Sequence, residues 1–151
     1  VTIRILAVGK KSESWIQPGI ERYEKRLRKP WNLNWQFLAH SALAEEAART
    51  QESDRILAKL KPDEFVILLD ERGKMLSSPG LAKQLSAQLG FAEITLVIGG
   101  AYGVDERIRQ RANLVWSLSE LVFPHQLVRL IVVEQLYRAA EISAGRPYHH
   151  V

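Results

Sequence analysis

Residues 94–142 read ITLVIGGAYGVDERIRQRANLVWSLSELVFPHQLVRLIVVEQLYRAAEI, and this stretch limits the possible fold more than any other part of the chain. Ile94 to Ile98 carries the pattern of a buried strand, and Gly99, Gly100 and Gly103 form a turn after it. A second apolar run follows at 114–118, then a short loop ending in Phe123-Pro124-His125, then a long apolar helix expected over 126–143. Two loops leaving the carboxyl ends of strands within about twenty-five residues mark the place where open α/β sheets bind small molecules. A ligand site is expected there.

The preceding residues supply the rest of a sheet. Residues 2–8 are β-branched and apolar and end at Gly9, which predicts a buried first strand. Ser12 or Ser14 can cap a helix running to about Arg28, with Pro18 tolerated in its first turn and Pro30 beyond its end. Trp15, Ile16, Ile20, Tyr23 and Leu27 share one side of it. Arg22, Lys25, Arg26, Arg28 and Lys29 share the other, which is either a solvated face or a phosphate-contacting patch. A second strand is expected near 34–39. Residues 42–60 are alanine-rich and amphipathic, with a polar interruption at 50–53 that leaves one helix or two open. A strong strand at 64–69 ends in Asp70, a turn is expected at Arg72-Gly73-Lys74, and Ser77 or Ser78 with Pro79 opens a helix that Gly90 closes. The alternation predicts a mostly parallel sheet with helices on both faces, in a single domain over 1–151.

Composition excludes some chemistry. The chain has no cysteine, so disulfides, thiolate metal sites and a cysteine nucleophile are ruled out. Four scattered histidines without ligand spacing argue against a metal site. No apolar run approaches the roughly eighteen residues that span a bilayer, and the first residues read as a strand rather than a signal peptide. A soluble, cytoplasmic protein without a membrane partner is expected. The net charge of +4 permits a nucleic-acid partner without requiring one.

Neither glycine motif of a nucleotide site is present. IGGAYG is not G-x-G-x-x-G, and the two Gly-Lys pairs are followed by Lys11 and Met75, where a P-loop needs Ser or Thr. Taken alone, the turn also reads as a plain strand-to-helix connection into a helix opening at Asp105. The loop 117–125 is too apolar for an ordinary exposed connection and suits the flat face of an adenine, with Leu69 as a further wall. Core packing also explains Leu121 and Phe123. The helix at 126–143 is apolar nearly all round, so it is either the dimer contact of two copies or the central helix of a monomer. Arg129, Glu134 and Arg138 interrupt it and need partners if buried.

The order of motifs resembles one family across the whole chain. LAVGK at 6–10, LLDERGKMLSS at 68–78, IGGAYG at 98–103, WSLSELVFPHQLVR at 116–129, EQLYRA at 134–139 and PYHH at 147–150 are similar to the SPOUT methyltransferases that act on N3 of a pseudouridine in large-subunit ribosomal RNA. The resemblance implies a C-terminal trefoil knot and S-adenosylmethionine bound in a bent form at the knot. It implies cofactor contacts from Leu69, Gly100 and the loop Leu118, Ser119, Glu120, Leu121, Val122 and Phe123, with Glu120 and Val122 acting through their backbone; Gly99 joins them through the turn. His149 is then the candidate proton acceptor, Tyr148 a stacking or orienting partner, and Arg138 a phosphate- or base-orienting group. By position alone this tail reads as a frayed terminus. The expected partners are a second copy of the chain and ribosomal RNA in the large subunit or assembled ribosome. The competing readings are a non-catalytic nucleotide- or RNA-binding module and, more distantly, a small-molecule Rossmann-like enzyme.

Overall fold

A computed structural model describes residues 1–90 and 93–150. Five strands, β1 (Thr2–Val8), β2 (Asn32–Leu38), β3 (Phe65–Met75), β4 (Ile94–Ile98) and β5 (Leu114–Ser117), pair in the order β2-β1-β4-β3-β5. Among the described residues every pairing of these strands is parallel, in keeping with the mostly parallel sheet expected. Five helices connect the strands: α1 (Gln17–Arg26), α2 (Glu45–Leu57), α3 (Ser78–Ser86), α4 (Glu106–Arg111) and α5 (His125–Ser143).

Both faces of the sheet are covered, because alternate residues of each central strand enter different cores. Ile3, Ile5, Ile67, Leu96 and Ile98 pack with α1, α3 and α5. Leu6, Val8, Leu68 and Val97 pack with Ile56 of α2 and Ile108 of α4. That is why the strands read as unbroken apolar runs rather than as alternating ones. At about 25 cal/mol per Å² of buried apolar surface, these side chains dominate the stabilisation of the fold.

Several local expectations shift. The first helix begins at Gln17 rather than after Ser12 or Ser14, with Ile16 at its N-cap and no side-chain cap. Pro18 fits because its missing N–H lies in the first turn, where no helical acceptor exists. The second helix is continuous from Glu45 to Leu57. Ser77, rather than Ser78, caps α3 and accepts from the Gly80 N–H at 3.1 Å. The apolar α5 meets both α1 and α3 as well as the sheet. Intrachain packing therefore accounts for Val132, Val133, Leu136, Ala139 and Ala140, and no apolar side chain of α5 is fully exposed.

The turn expected at Arg72-Gly73-Lys74 belongs instead to a bulge within β3. Trp116 lies opposite both Leu69 and Lys74, so residues 70–73 are pushed out of the ladder before pairing resumes at Met75 and Ser117. Gly73, at the end of the bulge, lies hard against the backbone of β5: a Cβ there would stand 2.6 Å from the Val115 carbonyl carbon and oxygen. Because the obstacle is backbone, Gly73→Ala should destabilise the protein by on the order of 1–3 kcal/mol. Chemical denaturation measures this, and an unchanged midpoint would show that the two strands separate freely.

Candidate active site

Regular pairing of three strands is interrupted or ends at one level. Leu69 is in register with Ile98 on one side and Trp116 on the other, so the bulge at residues 70–73 of β3 and the loops after β4 and β5 leave the sheet together. They enclose an open cleft of about 940 Å³. Of the residues expected to contact a cofactor, Leu69, Gly99, Gly100, Leu118, Ser119, Leu121, Val122 and Phe123 line it. Glu120 does not; its side chain is exposed away from the cleft.

The loop after β5 is not buried by the chain itself. Leu121 is 70% and Val122 83% exposed, so core packing does not account for either. Ser119 shapes the loop by accepting from the Leu121 N–H at 3.0 Å, which turns the two apolar residues outward along the cleft. On the opposite wall, Asp70 in the β3 bulge accepts from Arg109 at 2.8–3.0 Å and from the Arg72 N–H at 2.9 Å. Asp70, Arg72 and Arg109 were absent from the sequence-based site, although the strand run ending at Asp70 pointed to that loop.

The glycine turn is held from below by α2. Arg49 Nε donates to the Tyr102 carbonyl at 2.9 Å, and Ser53 Oγ accepts from the Asp105 N–H at 2.9 Å. Glu52 is buried, with one carboxylate oxygen accepting from the Ser41 N–H at 2.9 Å and the other without a protein partner. The polar interruption at 50–53 is thus the face on which α2 meets the turn. Gly103 has φ +74° and accepts the left-handed conformation the turn requires. Gly100 is a glycine for another reason: its Cβ would point away from the ligand side, 2.5 Å from Glu52 Oε1 and 3.2 Å from Val8 Cγ1.

Arg138, Tyr148 and His149 come together, but elsewhere. Arg138 Nη1 meets His149 Nδ1 at 3.1 Å, and the Arg138 guanidinium lies 4.8 Å from the centre of the Tyr148 ring. Glu134 joins them: its Oε1 accepts from Arg138 Nε at 2.9 Å, Arg138 Nη2 at 2.6 Å and Tyr148 Oη at 3.1 Å. The tail is therefore docked on α5, with Tyr148 edge-on to Tyr137 at 4.8 Å, rather than frayed. Burial, then the Glu134 carboxylate, pushes the Tyr148 hydroxyl up to about 12. None of the three lines the cleft. Val128 does, and ten residues of helix separate it from Arg138, a rise of about 15 Å.

An all-parallel α/β sheet with a cleft over its strand ends is the arrangement in which open α/β folds take up small ligands. The particular family follows from comparison with known proteins. Residues 1–149 match the family model described as "Predicted SPOUT methyltransferase", and the chain belongs to the SPOUT methyltransferases. It is similar to proteins named "Ribosomal RNA large subunit methyltransferase H". The relative from Desulfitobacterium hafniense strain DCB-2 is 42% identical, covering 97% of this chain and 98% of the relative. Those from Synechococcus sp. strain RCC307 (47% identical, 97% and 93% covered) and Geotalea daltonii (40%, 98% and 99%) agree. No helix among the described residues is long and apolar enough to cross a membrane.

Two measurements check this geometry. Gly100→Ala should lower the melting temperature, since its new methyl group meets a buried carboxylate, and adding Glu52→Ala should restore part of the loss; no restoration would separate the two residues. Tyr148, held above the value near 10 of an unfolded tyrosine, stabilises the fold fully below about pH 10 and loses that contribution as pH rises towards 12. Tyr148→Phe should flatten the fall in stability across that window, whereas parallel curves would remove Tyr148 from its buried contact with Glu134.

Proposed function

We propose that this chain methylates N3 of a pseudouridine in large-subunit ribosomal RNA, with S-adenosylmethionine as donor, and that it does so as a homodimer. The observation that carries this reading is the pairing, in one family member, of a ligand cleft with a separate Arg138–Tyr148–His149 group. The cleft suits the cofactor: its volume is of the order that encloses a nucleoside-sized ligand, and Leu69, Ile98, Leu118 and Leu121 offer apolar faces. Leu121 and Val122, left outward by the chain's own packing, are the walls an adenine would cover. S-adenosylmethionine, when bound, supplies an already activated methyl group. The protein's tasks are then to hold the target base in line with that methyl and ease loss of the N3 proton.

The RNA side is supported by the tail and by α1. Tyr23 of α1 stands 5.7 Å from Tyr137, which in turn packs on Tyr148. Arg22, Lys25 and Arg26 are exposed on α1, with Arg28 and Lys29 just beyond it. Phosphates running over this face would bring a base beside Tyr148 and His149. The separation of about 15 Å along α5 keeps tail and cleft of one chain apart, and in this reading a two-fold dimer that sets each tail against its partner's cleft completes both sites. The family's trefoil threading of the C-terminal segment is part of the same reading.

Labelled S-adenosylmethionine and ribosomes lacking the modification test the activity, with the methylated position read by mass spectrometry. Calorimetry with the cofactor alone separates it from a non-catalytic binding module, which need not bind it. Mixed dimers test the assembly. Leu121→Glu disables a cleft and His149→Ala a tail, so each variant alone should be nearly inactive. Co-expressed, they should regain about a quarter of wild-type activity, because half the dimers are mixed and each mixed dimer has one intact site of two. A mixture no more active than its parents would overturn the shared site.

A further inference from the structure

Arg138 is gripped from one side and donates to the other. Two of its nitrogens bond to Glu134 Oε1 at 2.9 and 2.6 Å, which fixes the plane of the guanidinium. Its remaining terminal nitrogen, Nη1, reaches His149 Nδ1 at 3.1 Å. A guanidinium has donors only, so Nδ1 must be the acceptor. A neutral imidazole has one proton, and with Nδ1 accepting, that proton is on Nε2. Protonating Nδ1 would set N–H against N–H and break the contact.

Glu134 holds this arrangement through more than one bond. Its Oε1 also accepts from Tyr148 Oη, its Oε2 accepts from Gln135 Nε2 at 2.8 Å, and the Tyr148 ring supports the guanidinium from below. Both members of the ion pair are largely sheltered from solvent, with side-chain exposures of 17% for Glu134 and 24% for Arg138. The hydrogen bond to Glu134 raises the Arg138 pKa, so the guanidinium remains a donor throughout the working range. The other ionisable groups facing the cluster are Tyr148 and, from α1, Tyr23.

We propose that Glu134 is a positioning residue which, through Arg138, fixes His149 as an Nε2–H hydrogen-bond donor to a carbonyl oxygen beside N3 of the target base. This deepens the methyltransferase reading above and rests on it. As the N3 proton leaves to solvent, negative charge spreads from N3 onto the flanking carbonyl oxygens. The N3–carbon bond then forms with the nitrogen's electron pair while the bond from that carbon to the sulfonium sulfur breaks, its electrons staying on sulfur. A donor aimed at the carbonyl is worth most when the charge is largest, which eases ionisation without His149 taking the proton.

Two readouts test this with the intact chain. Two-bond nitrogen–proton spectra of the ¹⁵N-histidine-labelled chain, assigned with His149→Ala, should show neutral His149 protonated on Nε2. Glu134→Ala should convert that pattern to a mixture of tautomers while the fold persists. In the ribosome assay His149→Gln, whose amide N–H falls near the place of Nε2–H but which cannot act as a base, should stay within about tenfold of wild type. His149→Ala should lose about a hundredfold or more. An Nδ1-protonated ring, or a Gln variant as inactive as the Ala variant with unchanged cofactor affinity, would overturn the proposal in favour of a proton acceptor. Failure of the wild-type protein to bind S-adenosylmethionine or to methylate ribosomes would instead overturn the function on which it rests.

Discussion

The alignment of Leu69, Ile98 and Trp116 across three parallel strands is the constraint on which the rest of the molecule depends. Parallel pairing requires each strand to return by a crossover, so all the carboxyl ends lie along one edge and the loops that leave them converge. In this chain that convergence produces the cleft. The bulge at residues 70–73 lets β3 continue alongside β5 while directing Asp70 into the opening, where Arg109 of α4 meets it.

Polar groups support the glycine turn from below. α2 carries the half-buried Arg49 and the buried Glu52 and Ser53, and each directs a polar atom at the turn or at the loop after β2. Buried polar groups stabilise little in net terms but cost heavily when unpaired, so they define one arrangement and penalise its neighbours. The glycine at position 100 follows from this packing: a side chain would have to occupy the place of the Glu52 carboxylate. Arg129 plays a comparable part on the other face. It is almost fully buried in α5, donates to the Lys10 carbonyl at 2.8 Å and lies over the Phe37 ring, tying the long helix to the end of β1. Burial lowers its pKa, a cost offset by that hydrogen bond and ring contact.

α5 unites these features. Its first turns, with His125 and Val128, border the cleft; its middle fills the core between α1 and α3 and presents Glu134; its last turns carry Arg138 and Glu141, which with Glu134 anchor the tail. Arg146 closes back on Glu141 at 2.5 Å, and Tyr148 on Glu134, so residues that would fray in isolation are pinned at two carboxylates one above the other. One helix thereby carries both halves of the proposed chemistry and keeps them apart within a chain.

The sequence by itself determined the strands, their order of appearance, the covered faces and most cleft residues. Apolar runs, proline and glycine stops and caps act over a few neighbouring positions, and the family motifs preserve their order. Leu69, Gly99, Gly100 and most of the 118–123 loop were legible for that reason; Glu120, which does not line the cleft, is the exception. Only the tertiary structure decided the rest. It showed Gly100 answering to Glu52 across forty-eight positions, Asp70 paired with Arg109, α5 covered by its own chain, and Glu134 between Arg138 and Tyr148. These depend on distances across the fold and on which atoms donate and which accept, and local sequence periodicity carries neither.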